Sequence, residues 1–326
     1  AHLKDRYLQF INHASFQTAL NTSVKTHIFK GRSDIENLTN YRPISLINTD
    51  IKIISKALTN RLKYMLPFII DKYQTAVDGR QIDHTVHMIR DLIDMANQEN
   101  IDAAFIILDQ EKAFDRVDHP FLFKTMSAFG IGNNFIEWVK QIYTTAVARV
   151  KVNGFLTDPI PLMRGVRQGD PLSFLLYVLN IELFALMIRA NQNIVGFLVG
   201  GEKIVSMHYA DDTTITITQN RCFKEVIKDI EIYEKATGAK VNFDKTKGLW
   251  CGSWKSRLDS PLGIVWTNKN VFTLGVYVGN DDPATETFKK IIPKIKNSLD
   301  FWKRFNLSLL SKARIIETFH ASRLWY

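Results

Sequence analysis

The stretch Tyr209-Ala210-Asp211-Asp212 is the most informative in the chain, because two adjacent carboxylates lie between two short apolar segments. Residues 204–207 are mostly apolar, and residues 213–218 contain only Thr and Ile. This pattern predicts a strand, a tight turn and a second strand, with the acids at the turn. Adjacent carboxylates repel unless a cation offsets their charge, and hard oxygen ligands suit magnesium. The stretch therefore predicts a metal site for phosphoryl chemistry.

An Asp-Asp pair in a turn is also a common solvated feature, and the chain contains a second pair for comparison. Asn280-Asp281-Asp282-Pro283 follows a glycine, ends in a proline and has no strand pattern after it. This second pair predicts an ordinary loop. Acid clusters mark functional sites in only a fraction of cases, so both interpretations of Asp211 and Asp212 stay open at this point.

The composition favours a basic, folded protein. Lys and Arg total 42 against 33 Asp and Glu, which gives a formal net charge of +9. Such an excess predicts attraction to a polyanion such as nucleic acid. An apolar content of 46% argues against disorder, and 326 residues can bury a core and form two or three subdomains.

Cysteine and histidine usage gives no metal pattern. Cys222 and Cys251 form no CxxC pair, which favours structural thiols in a reducing, intracellular environment. His84 and His87 have no third ligand in view and are predicted to lie on the surface. The most apolar stretch, 171–188, contains Ser, Asn and Glu and predicts a buried helix rather than a membrane span, so we expect no membrane partner.

Periodicity gives a coarse order of elements. Apolar spacing predicts a helix over 51–66, closed by Pro67, and another over 84–97. Strand and helix patterns alternate from about 101 to 280. From residue 284 onward the chain is helical and basic, a composition that suits a solvated face or a surface for phosphate backbones.

A second acidic site is predicted where the apolar run 103–108 ends at Asp109. The run is typical of a buried strand, and a rigid sheet would fix an aspartate at its end. Asp115 and Asp118, in the polar segment that follows, are alternatives. Phe114 is an apolar residue that a metal site alone would not require.

A third feature is the loop Arg164-Gly-Val-Arg-Gln-Gly-Asp-Pro-Leu-Ser173. Asp170 as N-cap and Pro171 as first helical residue predict a helix start. Gln168 and Gly169 would then precede a helix N-terminus, which attracts anions and permits close approach of a ligand. A purely structural strand-to-helix connection is the alternative.

These features belong to a longer series of motifs. In chain order the motifs are Asn40-Tyr-Arg-Pro-Ile-Ser45, Gly79-Arg80, Leu108-Asp-Gln-Glu-Lys-Ala-Phe-Asp115, the Arg164–Ser173 loop, Tyr209-Ala-Asp-Asp212, Asn242-Phe-Asp-Lys-Thr246 and Leu274-Gly-Val-Tyr-Val278. From about residue 25 to its end the chain resembles reverse transcriptases of the LINE, or non-long-terminal-repeat, retrotransposon type. The ordered set is far more specific than any one motif.

The resemblance implies an α+β fold of the right-hand polymerase type, with fingers, a palm built on an antiparallel sheet, and a helical thumb. The implied fingers span residues 1–100 and are loosely aligned before residue 40. The implied palm, with interleaved finger and palm helices, spans 101–283. Residues 284–326 would begin a thumb that is expected to be truncated.

By the same resemblance, Asp109, Asp211 and Asp212 are the catalytic acids and hold two Mg²⁺ ions, for which Mn²⁺ could substitute. The backbone carbonyl of Gln110 is a further implied ligand, and Phe114 would be a steric gate against a ribose 2′-hydroxyl. The other implied nucleotide-binding residues are Lys30, Arg42, Arg80, Gln168, Gly169 and Lys245. The implied primer and template contacts are Tyr209, Leu274, Gly275 and Lys312.

The implied function is that of an RNA-directed DNA polymerase, which extends a primer 3′-hydroxyl with deoxynucleotides. Its partners would be an RNA template, a DNA primer and dNTPs, and its place of action the nucleus. Two alternatives remain open. One is a catalytically silent or repurposed polymerase-like protein that binds RNA or RNA–DNA duplex, and the other is an RNA-templated RNA polymerase, which a bulky Phe114 disfavours.

The sequence departs from the family pattern at three places, none of which is a predicted metal ligand. The finger loop reads Phe29-Lys-Gly-Arg-Ser-Asp34, Ala76-Val77 stands where Gly-Phe is frequent, and Phe174 stands where proline is frequent. No endonuclease precedes the polymerase motifs and no Cys/His knuckle follows them. We therefore expect either a fragment or a stand-alone polymerase core.

Overall fold

The structure is a computed structural model that describes residues 20–31, 34–321 and 324. The parts of the predicted fingers and thumb at 1–19, 32–33, 322–323 and 325–326 lie outside the described residues. A sheet that we call the finger sheet contains five strands. They are β1 (Thr22–Phe29), β2 (Tyr41–Leu46), β4 (Val147–Val152), β5 (Phe155–Leu156) and β6 (Ile160–Pro161).

The finger sheet joins two distant parts of the chain. β1 pairs antiparallel with β2 and parallel with β4, with Thr22 opposite Val147. The second contact brings a strand from the predicted palm range into the finger sheet. The finger sheet is therefore built from two segments that are far apart in sequence, and the loop after β6 leaves it.

A second sheet, the palm sheet, has the order β12-β11-β3-β10-β9. Its strands are β3 (Ala103–Leu108), β9 (Ser206–Tyr209), β10 (Asp212–Ile217), β11 (Lys247–Cys251) and β12 (Val265–Thr267). β3 is the central strand and pairs antiparallel with both β10 and β11. Its continuous apolar run is buried on both faces, which confirms the strand predicted over 103–108.

Helices cover the palm sheet on both faces. The helices are α1 (Thr49–Ile69), α2 (Ile82–Gln98), α3 (His119–Ala128), α4 (Asn133–Thr144), α5 (Ser173–Ala190) and α6 (Cys222–Thr237). Alternate residues of β3 point to opposite faces, so Ile106 and Leu108 pack among α1, α3, α5 and α6. Phe105 points the other way and packs against α2.

Helix α5 lies at the centre of the larger core. By length and composition it could cross a membrane, but 67% of it is buried inside the protein, as the sequence predicted for the apolar stretch 171–188. Such burial is typical of a core helix in a protein of this size.

The remaining strands form two hairpins, β7 (Phe197–Val199) with β8 (Glu202–Ile204) and β13 (Asn270–Thr273) with β14 (Val276–Gly279). The chain then continues through α7 (Pro283–Trp302) and α8 (Leu309–Ile315). Asp282 caps α7 by accepting a hydrogen bond from the Thr285 N–H. The comparison pair Asp281-Asp282 thus lies in a loop, as predicted, and Asp282 also caps the helix that follows, which was not predicted.

Two predicted helix boundaries are wrong. Helix α1 does not close at Pro67 but continues to Ile69, because a proline in the last turn removes only one intrahelical hydrogen bond. Helix α5 begins at Ser173 rather than at Pro171. Asp170 still caps locally, since its carboxylate accepts the Leu172 N–H at 3.1 Å, but its main partner is Arg167.

Candidate active site

The acidic stretch forms the turn between β9 and β10, so the predicted strand–turn–strand is confirmed. Asp212 pairs with Tyr209 across the ladder, which leaves Ala210 and Asp211 as the two turn residues. Ala210 has a φ of +53°, in the left-handed region that hairpin turns require and that non-glycine residues rarely adopt. We call residues 206–217 the acidic hairpin.

Asp109 joins the acidic hairpin from the neighbouring strand. The register between β3 and β10 sets Leu108 opposite Thr213. One more residue along this register places Asp109 opposite Asp212, so the two side chains emerge on the same face.

The backbone of Asp109 is held on its other side by the Asn242–Thr246 motif. Its N–H donates to the Thr246 hydroxyl at 3.2 Å, and its carbonyl accepts the Asn242 N–H at 2.8 Å. Thr246 is itself fully buried. Rigid neighbours on both sides therefore fix the position of this aspartate.

Burial and the repulsion of neighbouring carboxylates raise the pKa of two of the three acids. Asp109 and Asp211 are half-buried, whereas Asp212 keeps contact with solvent. Loss of hydration, and then the charges of Asp211 and Asp109, raise the pKa of Asp212 to about 6. Burial also raises the pKa of Asp211, while the positive charge of Arg42 on β2 lowers it. Arg42 of the finger sheet is thus close enough to Asp211 to act on it electrostatically.

The donor set fits a divalent cation that shares its coordination sphere with a substrate. Within residues 20–31, 34–321 and 324, no group of three or more His, Cys, Asp or Glu side chains is arranged to hold a metal ion by itself. Mg²⁺ is commonly held by one or two carboxylates together with water and substrate phosphates, rather than by an all-protein cage. Asp109 and Asp212 on one face, with Asp211 beside them, supply such carboxylates.

Phe114 lies on a short 3₁₀ turn, Ala113–Arg116, which begins three residues after Gln110. Its ring stacks on Tyr177 of α5, with centroids 4.7 Å apart and planes 18° apart. The Tyr177 hydroxyl donates to the side-chain oxygen of Gln110 at 2.9 Å. The charges of Asp211 and Asp212 contribute to a raised Tyr177 pKa, after the larger effect of burial. Tyr177 therefore joins the predicted gate residue to the acidic site.

The loop with Gln168 and Gly169 packs against the finger sheet. The Gln168 carbonyl accepts the Ser45 N–H at 2.8 Å. Gly169 has a φ of +109°, and a Cβ there would lie 2.8 Å from the Ser45 carbonyl oxygen. A glycine is thus required by backbone conformation and by close approach. The sequence predicted close approach of a ligand at Gly169, and the structure shows that the β2 backbone approaches it closely.

A buried ion pair holds this loop. Arg167 and Asp170 lie 3.3 Å apart, and each side chain is only 1% exposed. Arg167 also donates to the side-chain oxygen of Asn21 at 2.7 Å, which connects the loop to the start of the finger sheet.

The two alternative acids have partners outside the acidic hairpin. Asp118 caps α3 by accepting the Phe121 N–H at 2.8 Å, and Asp115 lies 3.9 Å from the Lys25 ammonium. Of the three candidate acids, Asp109 is therefore the one that lies at the end of a strand and faces the acidic hairpin.

Arg80 has a different environment from the one that the sequence predicted. Its guanidinium donates to four backbone carbonyls, those of Pro67, Ile70, Asp71 and Gln74. With these partners the guanidinium holds together the backbone at the end of α1. This geometry favours a structural role for Arg80 over direct contact with a nucleotide.

The other predicted residues lie on exposed or turn positions. Lys30, Lys245 and Lys312 are exposed, as are His84 and His87, for which a surface position was predicted. Leu274 and Gly275 form the two-residue turn between β13 and β14, with φ of +50° and +91°.

Sequence reasoning missed three residues that contact the site. Tyr177 supports Phe114, Thr246 supports Asp109, and Gln74 contacts the turn of the acidic hairpin. Each acts through a contact between residues far apart in the chain, and no local pattern announces it. The alternating Thr and Ile of β10 showed only that a strand was present.

Comparison with known proteins places this geometry in context. The family described as "Reverse transcriptase (RNA-dependent DNA polymerase)" matches residues 29–278. A Xenopus laevis protein named "Transposon TX1 uncharacterized 149 kDa protein" is 37% identical over 302 residues, which cover 90% of this chain and 23% of that protein. A Popillia japonica "Retrovirus-related Pol polyprotein from type-1 retrotransposable element R2" is 39% identical over 236 residues, with 68% and 38% coverage.

The chain thus spans less than two fifths of the length of these two relatives. Among solved structures, apo telomerase from Candida tropicalis aligns with a TM-score of 0.55 and 12% identity, covering 82% of this chain and 49% of that one. Telomerase from Candida albicans aligns with a TM-score of 0.54 and 13% identity, over 86% and 48%. At this identity the likeness concerns the fold alone, and it confirms the predicted α+β right-hand architecture.

Proposed function

The chain belongs to the reverse transcriptase family, and we propose that it extends a primer 3′-hydroxyl with deoxynucleotides along an RNA template. The observation that carries the proposal is the position of Asp109 opposite Asp212, with Asp211 in the adjoining turn. Clustered carboxylates, two of which have a raised pKa, destabilise a fold unless a cation offsets their charge. A cation shared with a triphosphate accounts for their arrangement.

Asp109, Asp211 and Asp212 are the residues that would hold Mg²⁺, or Mn²⁺ in its place, with the carbonyl of Gln110 as a further donor. When bound, two such ions supply Lewis acidity for the attacking hydroxyl and for the departing pyrophosphate. Arg42 approaches Asp211 from β2 and would meet the negative charge of the incoming triphosphate. The exposed Lys30 and Lys245 would add to this positive field.

Phe114 would select the sugar. Its ring is held by Tyr177 and cannot turn away without losing that stacking contact. A bulky ring next to the acids leaves less room for a 2′-hydroxyl, which favours deoxynucleotides over ribonucleotides. Gln168 and Gly169 lie between β2 and α5 and would contact the nascent base pair. Tyr209, Leu274, Gly275 and Lys312 would contact the primer and template.

The second candidate is a polymerase-like protein that binds RNA or RNA–DNA duplex without catalysis. The net charge of +9 favours such binding in either case. Clustered carboxylates repel phosphates and give a pure binding protein no advantage, so their retention favours the enzyme. An RNA-templated RNA polymerase would share the acids but is disfavoured by Phe114.

A primer-extension assay on an RNA template, with separate pools of deoxynucleotides and ribonucleotides, tests the proposal. We expect extension with deoxynucleotides only, and its loss in the Asp211→Asn variant, while binding of the primer–template duplex changes little. Asp282→Asn, in the helix-capping Asp-Asp pair, is the matched control and should leave extension unchanged. Full extension by Asp211→Asn would exclude the metal role, and duplex binding without extension by the unaltered chain would favour the second candidate.

The proposed place of action is intracellular and reducing, with a nuclear step. Cys222 and Cys251 are buried free thiols, which supports a reducing environment. The relatives named for transposons motivate the nuclear step, and partition of a tagged chain between nuclear and cytoplasmic fractions would test it.

A further inference from the structure

A short segment after α1 docks onto the acidic hairpin. Residues 73–75 run beside β9 as an additional short strand, with Gln74 paired in parallel with His208. The His208 N–H donates to the Tyr73 carbonyl at 2.8 Å, and the Thr75 N–H donates to the His208 carbonyl at 2.9 Å. This segment, which we call the docking segment, links the end of a finger helix to the strand that leads into the acids.

The Gln74 side chain extends this contact to the turn itself. It is fully buried, and its Oε1 accepts the Ala210 N–H at 3.0 Å and the Ala76 N–H at 3.2 Å. Its Nε2 has no hydrogen-bond partner among the described residues. The side chain therefore contributes to the turn only as an acceptor, and its target is the residue immediately before Asp211.

Ala210 needs such a partner. Its φ of +53° is unfavourable for a residue with a Cβ, and its own side chain offers no hydrogen bond to hold the turn. Ala210 is also buried, so without Gln74 its N–H would lack a partner where water does not readily reach.

The docking segment is in turn held to α1 by Arg80. The last carbonyls of a helix have no intrahelical partner, and the Arg80 guanidinium satisfies that of Pro67 at 3.2 Å. The same group donates to Ile70 at 3.0 Å and to Gln74 at 2.8 Å. Arg80 therefore fixes the backbone from which the Gln74 side chain reaches the turn.

We infer that Gln74 is a positioning residue for the acidic hairpin. The Gln74 side chain holds Ala210 in its left-handed conformation, so that Asp211 and Asp212 keep their places. The inference rests on the proposed function for its catalytic consequence, but the contact exists independently of it. Gln74 does not touch the reacting atoms. It acts on them through one backbone N–H, across 136 residues of sequence.

Gln74→Met tests this role, because methionine has a similar length and removes the acceptor without breaking any bond at Nε2. Loss of the bond should speed hydrogen exchange at the amides of 209–213 on the order of tenfold. Small displacements of catalytic groups are costly, so we expect the rate constant for nucleotide addition to fall about 10- to 100-fold. The Mg²⁺ concentration for half-maximal rate should rise, while the dissociation constant for primer–template stays unchanged.

Asn97→Leu is the control, at an exposed position whose Nδ2 also donates to the Asn280 Oδ1 at 2.8 Å. The Asn97 Oδ1 also accepts a backbone N–H from a distant segment at 3.0 Å, that of Gly252, at the opposite end of β3 from Asp109. This variant should leave hairpin exchange, rate and Mg²⁺ dependence as in the unaltered chain. If Gln74 had only a general structural role, both variants would have a lower melting temperature and a smaller fraction of active molecules. The Mg²⁺ dependence of the active molecules would then stay unchanged in both.

If Gln74→Met does not fold, Gln74→Asn tests the same role. The Asn side chain is one methylene shorter, so its carboxamide oxygen cannot reach the N–H groups of both Ala76 and Ala210. Faster hairpin exchange with a raised Mg²⁺ requirement supports the inference. Unchanged exchange at 209–213 overturns it, whatever the activity. Absence of extension by the unaltered chain would contradict the proposed function alone, because the exchange measurement still reports on Gln74.

Discussion

Removal of the Asp170 charge should destabilise the protein strongly, because Arg167 would then be a buried cation without its counter-charge. Both side chains are 1% exposed and lie 3.3 Å apart. Breaking a buried pair by removing one partner typically costs about 3–5 kcal/mol of unfolding free energy. At about 2 °C per kcal/mol for a chain of this size, Asp170→Asn should lower the melting temperature by about 6–10 °C.

Glu137→Gln provides the control for this prediction. The pair between Glu137 and Lys140 has the same sequence spacing, but its side chains are 46% and 38% exposed. Exposed pairs contribute only about 0–1 kcal/mol, so this variant should melt within about 2 °C of the unaltered chain. Thermal unfolding followed by circular dichroism measures both.

The double variant Arg167→Met/Asp170→Leu tests the pairing itself. Apolar replacement of both partners is often nearly neutral, so the double variant should recover much of the stability that Asp170→Asn loses. Equal melting shifts for Asp170→Asn and Glu137→Gln would refute the reasoning. A double variant that melts well below Asp170→Asn would refute it too, because loss of the second partner would then have added its own cost in stability.

Two further predictions concern the acids and the gate. Burial and the charges of Asp211 and Asp109 raise the pKa of Asp212 to about 6, so this carboxylate takes up a proton as the pH falls through that value. Protons and Mg²⁺ compete for the Asp212 carboxylate. A tenfold increase in Mg²⁺ concentration should therefore move the acidic midpoint of the pH–rate profile down by up to about one pH unit. A midpoint that does not depend on Mg²⁺ would contradict this competition. Tyr177→Leu removes the ring that stacks on Phe114 and should raise ribonucleotide incorporation, as Phe114→Ala should, whereas Tyr177→Phe keeps the ring and should keep the selectivity. The ratio of kcat/KM for deoxynucleotide and ribonucleotide measures this effect, and equal ratios in Tyr177→Leu and Tyr177→Phe would argue against a supported gate.

Local chemistry made the central strands predictable from sequence. The apolar run before Asp109 and the alternation after Asp212 are properties of consecutive residues, and they gave β3 and β10 their correct positions. The adjacency of these strands followed from the family resemblance rather than from periodicity. Without that resemblance, the opposition of Asp109 and Asp212 could not have been derived, because register is a long-range property.

Specific polar partners of two charged side chains explain what the sequence did not reveal. The motif position of Arg80 indicated a nucleotide contact, yet its donors are used by carbonyls at the end of α1, a choice that depends on how the chain folds back after Pro67. Asp170 was predicted as an N-cap from its neighbour Pro171, but a buried Arg167 competes for the same carboxylate. In both cases the partner is close in sequence, but the pairing depends on how the chain turns and is buried, which residue periodicity does not encode.

The interleaving of fingers and palm has a consequence for how the acidic site is held. Arg42 and Ser45 of β2, Lys25 of β1 and Gln74 of the docking segment all approach the palm from the predicted finger range. Arg42 acts on Asp211, the Ser45 N–H donates to the Gln168 carbonyl, and Lys25 lies near Asp115. A palm sheet alone would keep β3 and β10 paired, but it would lose the partners that fix the loop at Gly169 and the turn at Ala210. The geometry of the acids therefore depends on the docking of the finger elements as much as on the sheet that carries them.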